Sequence, residues 1–217
     1  MNFNMNDIMI QSEFTLNMLE TELKILLKEY EVENKHNLVD HMKSRIKSRE
    51  SIIAKLEKRG YEITYENIEK HVHDKVGIRI ICPFLSDVKE VVKVIKASEQ
   101  FIIKEEKDYI AAPKESGYIS YHLIILLPVY FSGRTEYREA EIQIRTMAMD
   151  FWASLDHMIR YKFDEDKIPN EVKDGMYECS VAIKSLDEKM LNFKTKSNNC
   201  NGIGGNDGEE NSINNRS

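Results

Sequence analysis

The sequence predicts an α+β fold, a mixed β-sheet flanked by helices with helical arms at both ends. Three observations carry that prediction. Both ends of the chain repeat apolar residues at alternating spacings of three and four. The middle switches to β-branched runs and period-two alternation, and helical stretches separate successive strands. Residues 1–34 read as an N-terminal arm, 35–163 as one central domain, 164–196 as a C-terminal helix and 197–217 as a disordered tail.

From about Asp7 to Tyr30, Leu16, Leu19, Leu23, Leu26 and Tyr30 form a heptad seam. A second helix is expected from about Lys35 to Arg59, with Leu38, Met42, Ile46, Ile53 and Leu56 on one side and Gly60 closing it. Its other side is basic and hydroxylic: Arg45, Lys47, Ser48, Ser51 and Lys55. A short helix follows around Tyr65–Lys70. Val76–Cys82 reads as a buried strand bounded by Pro83, Asp87–Ala97 as a helix, and Phe101–Tyr109 as a second strand. Ala112–Gly117 is a loop by composition. Tyr121–Tyr130 is nearly continuously apolar, which places it mid-sheet, and Ser132-Gly133-Arg134 turns it into an antiparallel partner.

That partner holds Glu139–Arg145. Ala140, Ile142 and Ile144 share one face, and Glu139, Glu141, Gln143 and Arg145 share the other. A helix follows from about Met147 to Tyr161. Pro169-Asn170 opens the last helix, with Asn170 as N-cap. Val172, Met176, Cys179, Ile183, Leu186, Met190 and Phe193 give it a second heptad seam. Both seams are expected to meet partner helices in a homo-oligomer. From Ser197 onward the chain is rich in Asn, Gly and Ser and is expected to be disordered.

A net charge of −6 over 217 residues argues against a protein held to nucleic acid by bulk charge, and leaves room for a local basic pocket. Cys82, Cys179 and Cys200 are odd in number and far apart, which disfavours a disulfide framework or a zinc site and fits a reducing compartment. The start, Met1–Asp7, has no basic segment followed by an apolar run, and no window approaches the roughly 20 apolar residues of a membrane span. A cytoplasmic protein is expected, with no membrane partner.

No GxxxxGK[ST] loop is present, so phosphate chemistry must come from side chains. Asp74 precedes one strand and Glu141 lies within another. Two carboxylates on neighbouring strands can hold Mg²⁺, which takes a few carboxylates plus substrate phosphates. Arg45, Lys47, Arg79, Lys107 and Lys114 supply the basic lining that a highly charged donor such as ATP needs. Tyr118, beside a flexible Gly117, can stack on a base. Plainer readings stand beside these: a turn cap for Asp74, a solvated face for Arg45 and Lys47, packing for Tyr118. His71 and His73 beside Asp74 superficially suggest a His-Asp metal step, but a strand follows at once where that step needs helices bearing further ligands. Trp152 and His157 read as core or satisfied polar contacts.

Taken in order, these residues resemble one family. Arg45-Ile46-Lys47 with Ser51, Asp74-x-x-Gly77-x-Arg79, Lys107-Asp108-Tyr109-Ile110 and Lys114-x-x-Gly117-Tyr118-x-Ser120-x-His122 match the alarmone (ppGpp) synthetase domain of RelA/SpoT proteins. Glu141-Ile142-Gln143-Ile144-Arg145-Thr146 and Met149-x-Phe151-Trp152-Ala153 complete the match, which covers about Leu38 to Tyr161. A chain of this length leaves no room for a hydrolase domain, so it resembles the small, RelQ-type synthetases.

The resemblance implies a nucleotidyltransferase-like sheet and a pyrophosphokinase that moves the β,γ-pyrophosphate of ATP to the 3′-OH of GDP or GTP, with GMP also open. By analogy Asp74 and Glu141 hold Mg²⁺, and Glu141 takes the 3′-OH proton. Arg45, Lys47, Ser51, Lys55, Arg79 and Lys107 grip ATP. Lys114, Tyr118, His122 and Gln143 receive the guanine nucleotide. The resemblance also implies a homotetramer and leaves RNA regulation open. The chain departs from the pattern at His41-Met42-Lys43-Ser44, where relatives often carry Phe and Thr-Gly, and at Asp150, where Asn is frequent. In some relatives that region binds the alarmone product as an activator, and the departures do not carry such a site over to this chain. Lys107 replaces a frequent Arg and so lacks the guanidinium fork. Two alternatives stand beside this reading: pyrophosphorylation of a tRNA 3′ end, and a non-catalytic oligomer that binds RNA or nucleotide.

Overall fold

In the computed structural model, which describes residues 4–162 and 168–203, five strands form one mixed sheet in the order β1-β2-β5-β4-β3. The strands are β1 (His41–Ile46), β2 (Val76–Cys82), β3 (Ile102–Asp108), β4 (Tyr121–Phe131) and β5 (Arg134–Thr146). The helices are α1 (Met5–Asn34), α2 (Arg49–Glu57), α3 (Tyr65–His71), α4 (Leu85–Ala97), α5 (Met147–Lys162) and α6 (Asn170–Ile203). β2 and β5 run parallel, and every other pair is antiparallel. The α+β architecture and the mid-sheet position of β4 agree with the sequence reading.

One face of the sheet is apolar. Ile78, Ile80, Leu123, Ile125, Ile142 and Ile144 are buried there against Val88, Val91 and Ile95 of α4 and Leu19 and Leu23 of α1. Period two in the strands and period 3.6 in the helices put these residues together. The other face carries the polar side chains of β1, β2 and β5.

The helix expected over Lys35–Arg59 does not form as one element. His41–Ile46 is a strand along β2, and α2 starts only at Arg49, where Ser48 Oγ accepts from Ser51 N at 3.2 Å. The apolar spacing of Met42 and Ile46 serves either period. What decides is the edge of β2: its backbone groups need partners, and the segment before the Ser48 cap supplies them. Of the basic side chains expected on one helix face, Arg45 therefore lies on the sheet, Lys47 just past the end of β1, and Lys55 on α2.

The first heptad seam is used within the domain itself rather than on a partner. Leu19 and Leu23 are fully buried in the sheet's core, and Leu16, Leu26 and Tyr30 pack against it. Ile8 joins a second cluster with Ile52, Leu56, Ile68 and Val72. The seam of α6 behaves differently. Its inward face is polar, with Ser180 and Asp187 buried and Lys194 donating to Asp87 Oδ1 at 2.6 Å. Leu186, Met190 and Phe193 (63% exposed) remain at the surface.

α6 begins at Asn170, and the carbonyl of Pro169 accepts from Val172 and Lys173, so the cap lies one residue before the expected Asn170. The helix continues to Ile203, past the Ser197 boundary set for a disordered tail, and residues 204–217 lie outside the described part. No described helix is long and apolar enough to cross a membrane.

If α1 is integral to the domain, Leu23→Ala lowers unfolding free energy by about 2–5 kcal/mol in a urea titration. Val32→Ala, on the exposed side of the same helix, changes it by less than about 0.5 kcal/mol.

Candidate active site

Strand register builds the site on the sheet's polar face. Arg45, Gly77 and Glu141 are aligned across β1, β2 and β5, and Lys43, Arg79, Gln143, His122 and Lys107 form the next row across all five strands. A cavity of about 270 Å³ opens over these rows, lined by Arg45, Asp74, Arg79, Glu141 and Gln143 together with Lys43 and Ser44. Gly77 forms part of its floor. A Cβ there would meet no protein atom nearer than 3.9 Å, so the missing side chain leaves room in the cavity rather than relieving the backbone.

Asp74 and Glu141 share this cavity but have different partners. Lys47 Nζ donates to Asp74 Oδ2 at 2.8 Å and Lys55 Nζ to Oδ1 at 2.7 Å. The bond from Lys47 N to Lys75 O extends the β1–β2 ladder and brings Lys47 beside Asp74. Burial alone would raise the Asp74 carboxyl, but the two ammonium groups outweigh it and hold it at about 2.

Glu141 sits in a closed ring. Arg145 Nη2 donates to the Tyr118 hydroxyl at 2.5 Å, and the hydroxyl lies 2.8 Å from His122 Nε2. Arginine only donates, so the tyrosine proton goes to Nε2, and His122 Nδ1–H is assigned to Glu141 Oε1 at 2.9 Å. On the other side Arg145 Nη2 donates to Gln143 Oε1 at 2.6 Å, and Gln143 Nε2 to Glu141 Oε2 at 2.9 Å. Burial and the charge of Asp74 push Glu141 upward, but the His122 and Gln143 bonds prevail and it lies below its ordinary range. It is an ionised, aimed carboxylate at neutral pH and a weak base.

Tyr118 follows a closely packed glycine. Gly117 is buried at φ +86°, and a Cβ there would stand 2.5 Å from Ser180 Oγ of α6. The ring packs edge-on to Tyr109 and His122, with Lys114 Nζ 5.1 Å and Arg145 Cζ 5.2 Å from its centroid. α6 thus presets the loop. Lys107 and Ser51 lie off the cavity wall: Lys107 pairs with Glu105 at 3.0 Å, and Ser51 belongs to the first turn of α2. Glu139 is outside the cavity too, buried between His73 at 2.6 Å and Lys104. His71 stacks on Tyr61.

Sequence reasoning placed Arg145 on the polar face but did not assign it to the site, and it left out Lys43 and Ser44. Its signal was the strand alternation itself, whose fourth polar member closes the ring. Asp150, noted only as a departure, accepts from Lys43 and Arg79.

Two carboxylates facing one cavity fit a divalent ion that draws its other ligands from phosphates and water. Among the described residues no group of three His, Cys, Asp or Glu side chains stands ready to hold an ion unaided.

Residues 44–166 match the model of the region found in RelA/SpoT proteins. The chain belongs to the RelA/SpoT family. It is 48% identical to the GTP pyrophosphokinase YwaC of Bacillus subtilis over 189 residues, 87% of this chain and 89% of that one. The structure of small alarmone synthetase 1 from Bacillus subtilis bound to its product pppGpp superposes with a TM-score of 0.81 at 33% identity, covering 88% of this chain and 96% of that one. The same synthetase bound to AMPCPP gives a TM-score of 0.75 at 30% identity, covering 89% and 97%. The region shared with RelA/SpoT proteins takes in the second half of β1 and all of β2–β5 with α5, and so every residue named in the cavity lining except Lys43.

The lowered Asp74 carboxyl makes a signed prediction. Its stabilising contribution is present above the ordinary carboxylate range near pH 4 and is lost as pH falls through about 2. Asp74→Asn therefore melts below the wild type at pH 7, and the two melting temperatures converge between about pH 4 and pH 2.

Proposed function

We propose that the protein is a GTP pyrophosphokinase that moves the β,γ-pyrophosphate of ATP to the 3′-OH of a guanine nucleotide, making the alarmone (p)ppGpp, or pGpp from GMP. One observation carries the reading: a cavity lined by cations contains an ionised glutamate fixed from both sides by the Arg145 ring, with a second carboxylate alongside. The relatives named GTP pyrophosphokinase and the product-bound neighbour support it.

Lys43, Arg45 and Arg79 receive the donor's phosphates, and Lys47 and Lys55 stand behind Asp74. Tyr118, preset by Gly117 and α6, is the platform for guanine. Lys114 meets the acceptor's 5′ phosphates, and Gln143 and His122 orient Glu141 toward the ribose. The 3′ oxygen attacks the β-phosphorus, the α–β bridging bond breaks, and AMP leaves. The hydroxyl proton passes to Glu141, whose low basicity suits late transfer, from an oxygen already largely bonded to phosphorus. Asp74 and Glu141 would hold Mg²⁺, which would supply charge neutralisation for the transferring group. The remaining work of the site is alignment. The exposed Leu186, Met190 and Phe193 of α6 support self-association, for which a homotetramer is the specific assignment, and the cytoplasm is the expected compartment.

Labelled ATP with GMP, GDP or GTP yields a 3′-pyrophosphorylated product, identified by mass. Activity disappears with EDTA and returns with Mg²⁺. Glu141→Gln lowers kcat at least about 100-fold, and a variant of full activity refutes the site. Tyr118→Leu raises the acceptor KM about tenfold through lost stacking. Tyr118→Phe keeps the acceptor KM and lowers kcat, because the hydroxyl is the direct link between Arg145 and His122.

A further inference from the structure

Asp150 stands in the first turn of α5, 7% exposed, beside the cavity. Its Oδ1 accepts from Arg79 Nη1 at 3.0 Å and Arg145 Nη1 at 3.3 Å, and its Oδ2 from Lys43 Nζ at 3.2 Å. One negative charge faces three positive ones. Lys43 and Arg79 also line the cavity, whereas Arg145 anchors the ring around Glu141. Arg79 carries a further sign of an unfilled role: its Nε is buried and has no hydrogen-bond partner among the described residues. A buried donor without an acceptor is destabilising. A carboxylate bound to Nη1 alone leaves the other edge of the guanidinium fork for a second anion. The acceptor that satisfies it must reach a cationic cavity, and a phosphate chain has that chemistry.

We propose that Asp150 is a positioning residue, an internal counter-anion that competes with the donor's phosphates for Lys43 and Arg79 while holding Arg145 in place behind Tyr118 and Gln143. The inference rests on the donor reading of the cavity. It makes the effect of removing this charge split in sign. Asp150→Asn preserves side-chain shape and frees Lys43 and Arg79 from their protein partner, so a triphosphate binds more tightly. The same change loosens Arg145, so Glu141 is aimed less well and turnover slows. A side chain that only held the fold together would weaken binding and turnover alike.

The test is calorimetric binding of a non-hydrolysable ATP analogue and of inorganic tripolyphosphate to the wild type and to Asp150→Asn, Asp150→Ser and Asp150→Glu, with steady-state kinetics of each. The two neutral variants are expected to bind both probes about two- to fivefold more tightly and to lose about tenfold in kcat. The glutamate variant stays within about twofold of the wild type in binding. Melting curves identify which variants fold, and either neutral variant alone carries the comparison. Equal or weaker binding by the neutral variants, with a wild type that binds the analogue, overturns the role of Asp150 and leaves the donor reading standing. A wild type that binds neither probe overturns the donor reading and this inference with it.

Discussion

The ladder joining β1, β2 and β5 sets Arg45, Gly77 and Glu141 in one row and Lys43, Arg79 and Gln143 in the next. A shift of one residue in either pairing would turn these side chains into the apolar core and bring isoleucines to the open face. The register is held from below, where Ile78, Ile80, Ile142 and Ile144 have no other place to be buried. The hydrophobic effect on one side of the sheet thereby fixes polar chemistry on the other to within a side chain's reach.

Charge balance is the second constraint. Asp74 holds two lysines, and Asp150 holds a lysine and two arginines. Half-buried cations packed this closely repel one another, and each carboxylate offsets part of that repulsion until an anion arrives. The site is thus assembled around a charge it does not itself supply. Membership of the RelA/SpoT family agrees with such a site, and the product-bound relative is similar to this chain over 88% of its length.

α6 acts on the site from outside it. Its polar inward face meets Gly117 through Ser180 and Thr146 through Asp187, at 2.7 Å, while Trp152 Nε1 donates to Met176 O at 2.8 Å. These contacts fix the Tyr118 loop and the start of α5, the two segments that carry Tyr118 and Asp150. A helix that looks peripheral in the sequence is what packs against the loop that carries the tyrosine.

Much of this was legible in residue order. Alternation in Glu139–Arg145, the β-branched run at Val76–Cys82 and the continuous apolar run at Tyr121–Tyr130 named three strands, and the alternation named the two faces of the first, because a strand's period is a local property. The candidate acids Asp74 and Glu141 were legible for the same reason, and they do face one cavity. The segment Lys35–Arg59 was misread because Met42 and Ile46 suit either period, and the vacancy at the edge of β2 that decides between them lies some 30 residues further along the chain. The partner of each acid, the close packing of Gly117, the division of Glu139 from Glu141 and the three-cation grip of Asp150 belong to the tertiary structure. They depend on which backbones lie side by side, and only the pairing of distant segments sets that.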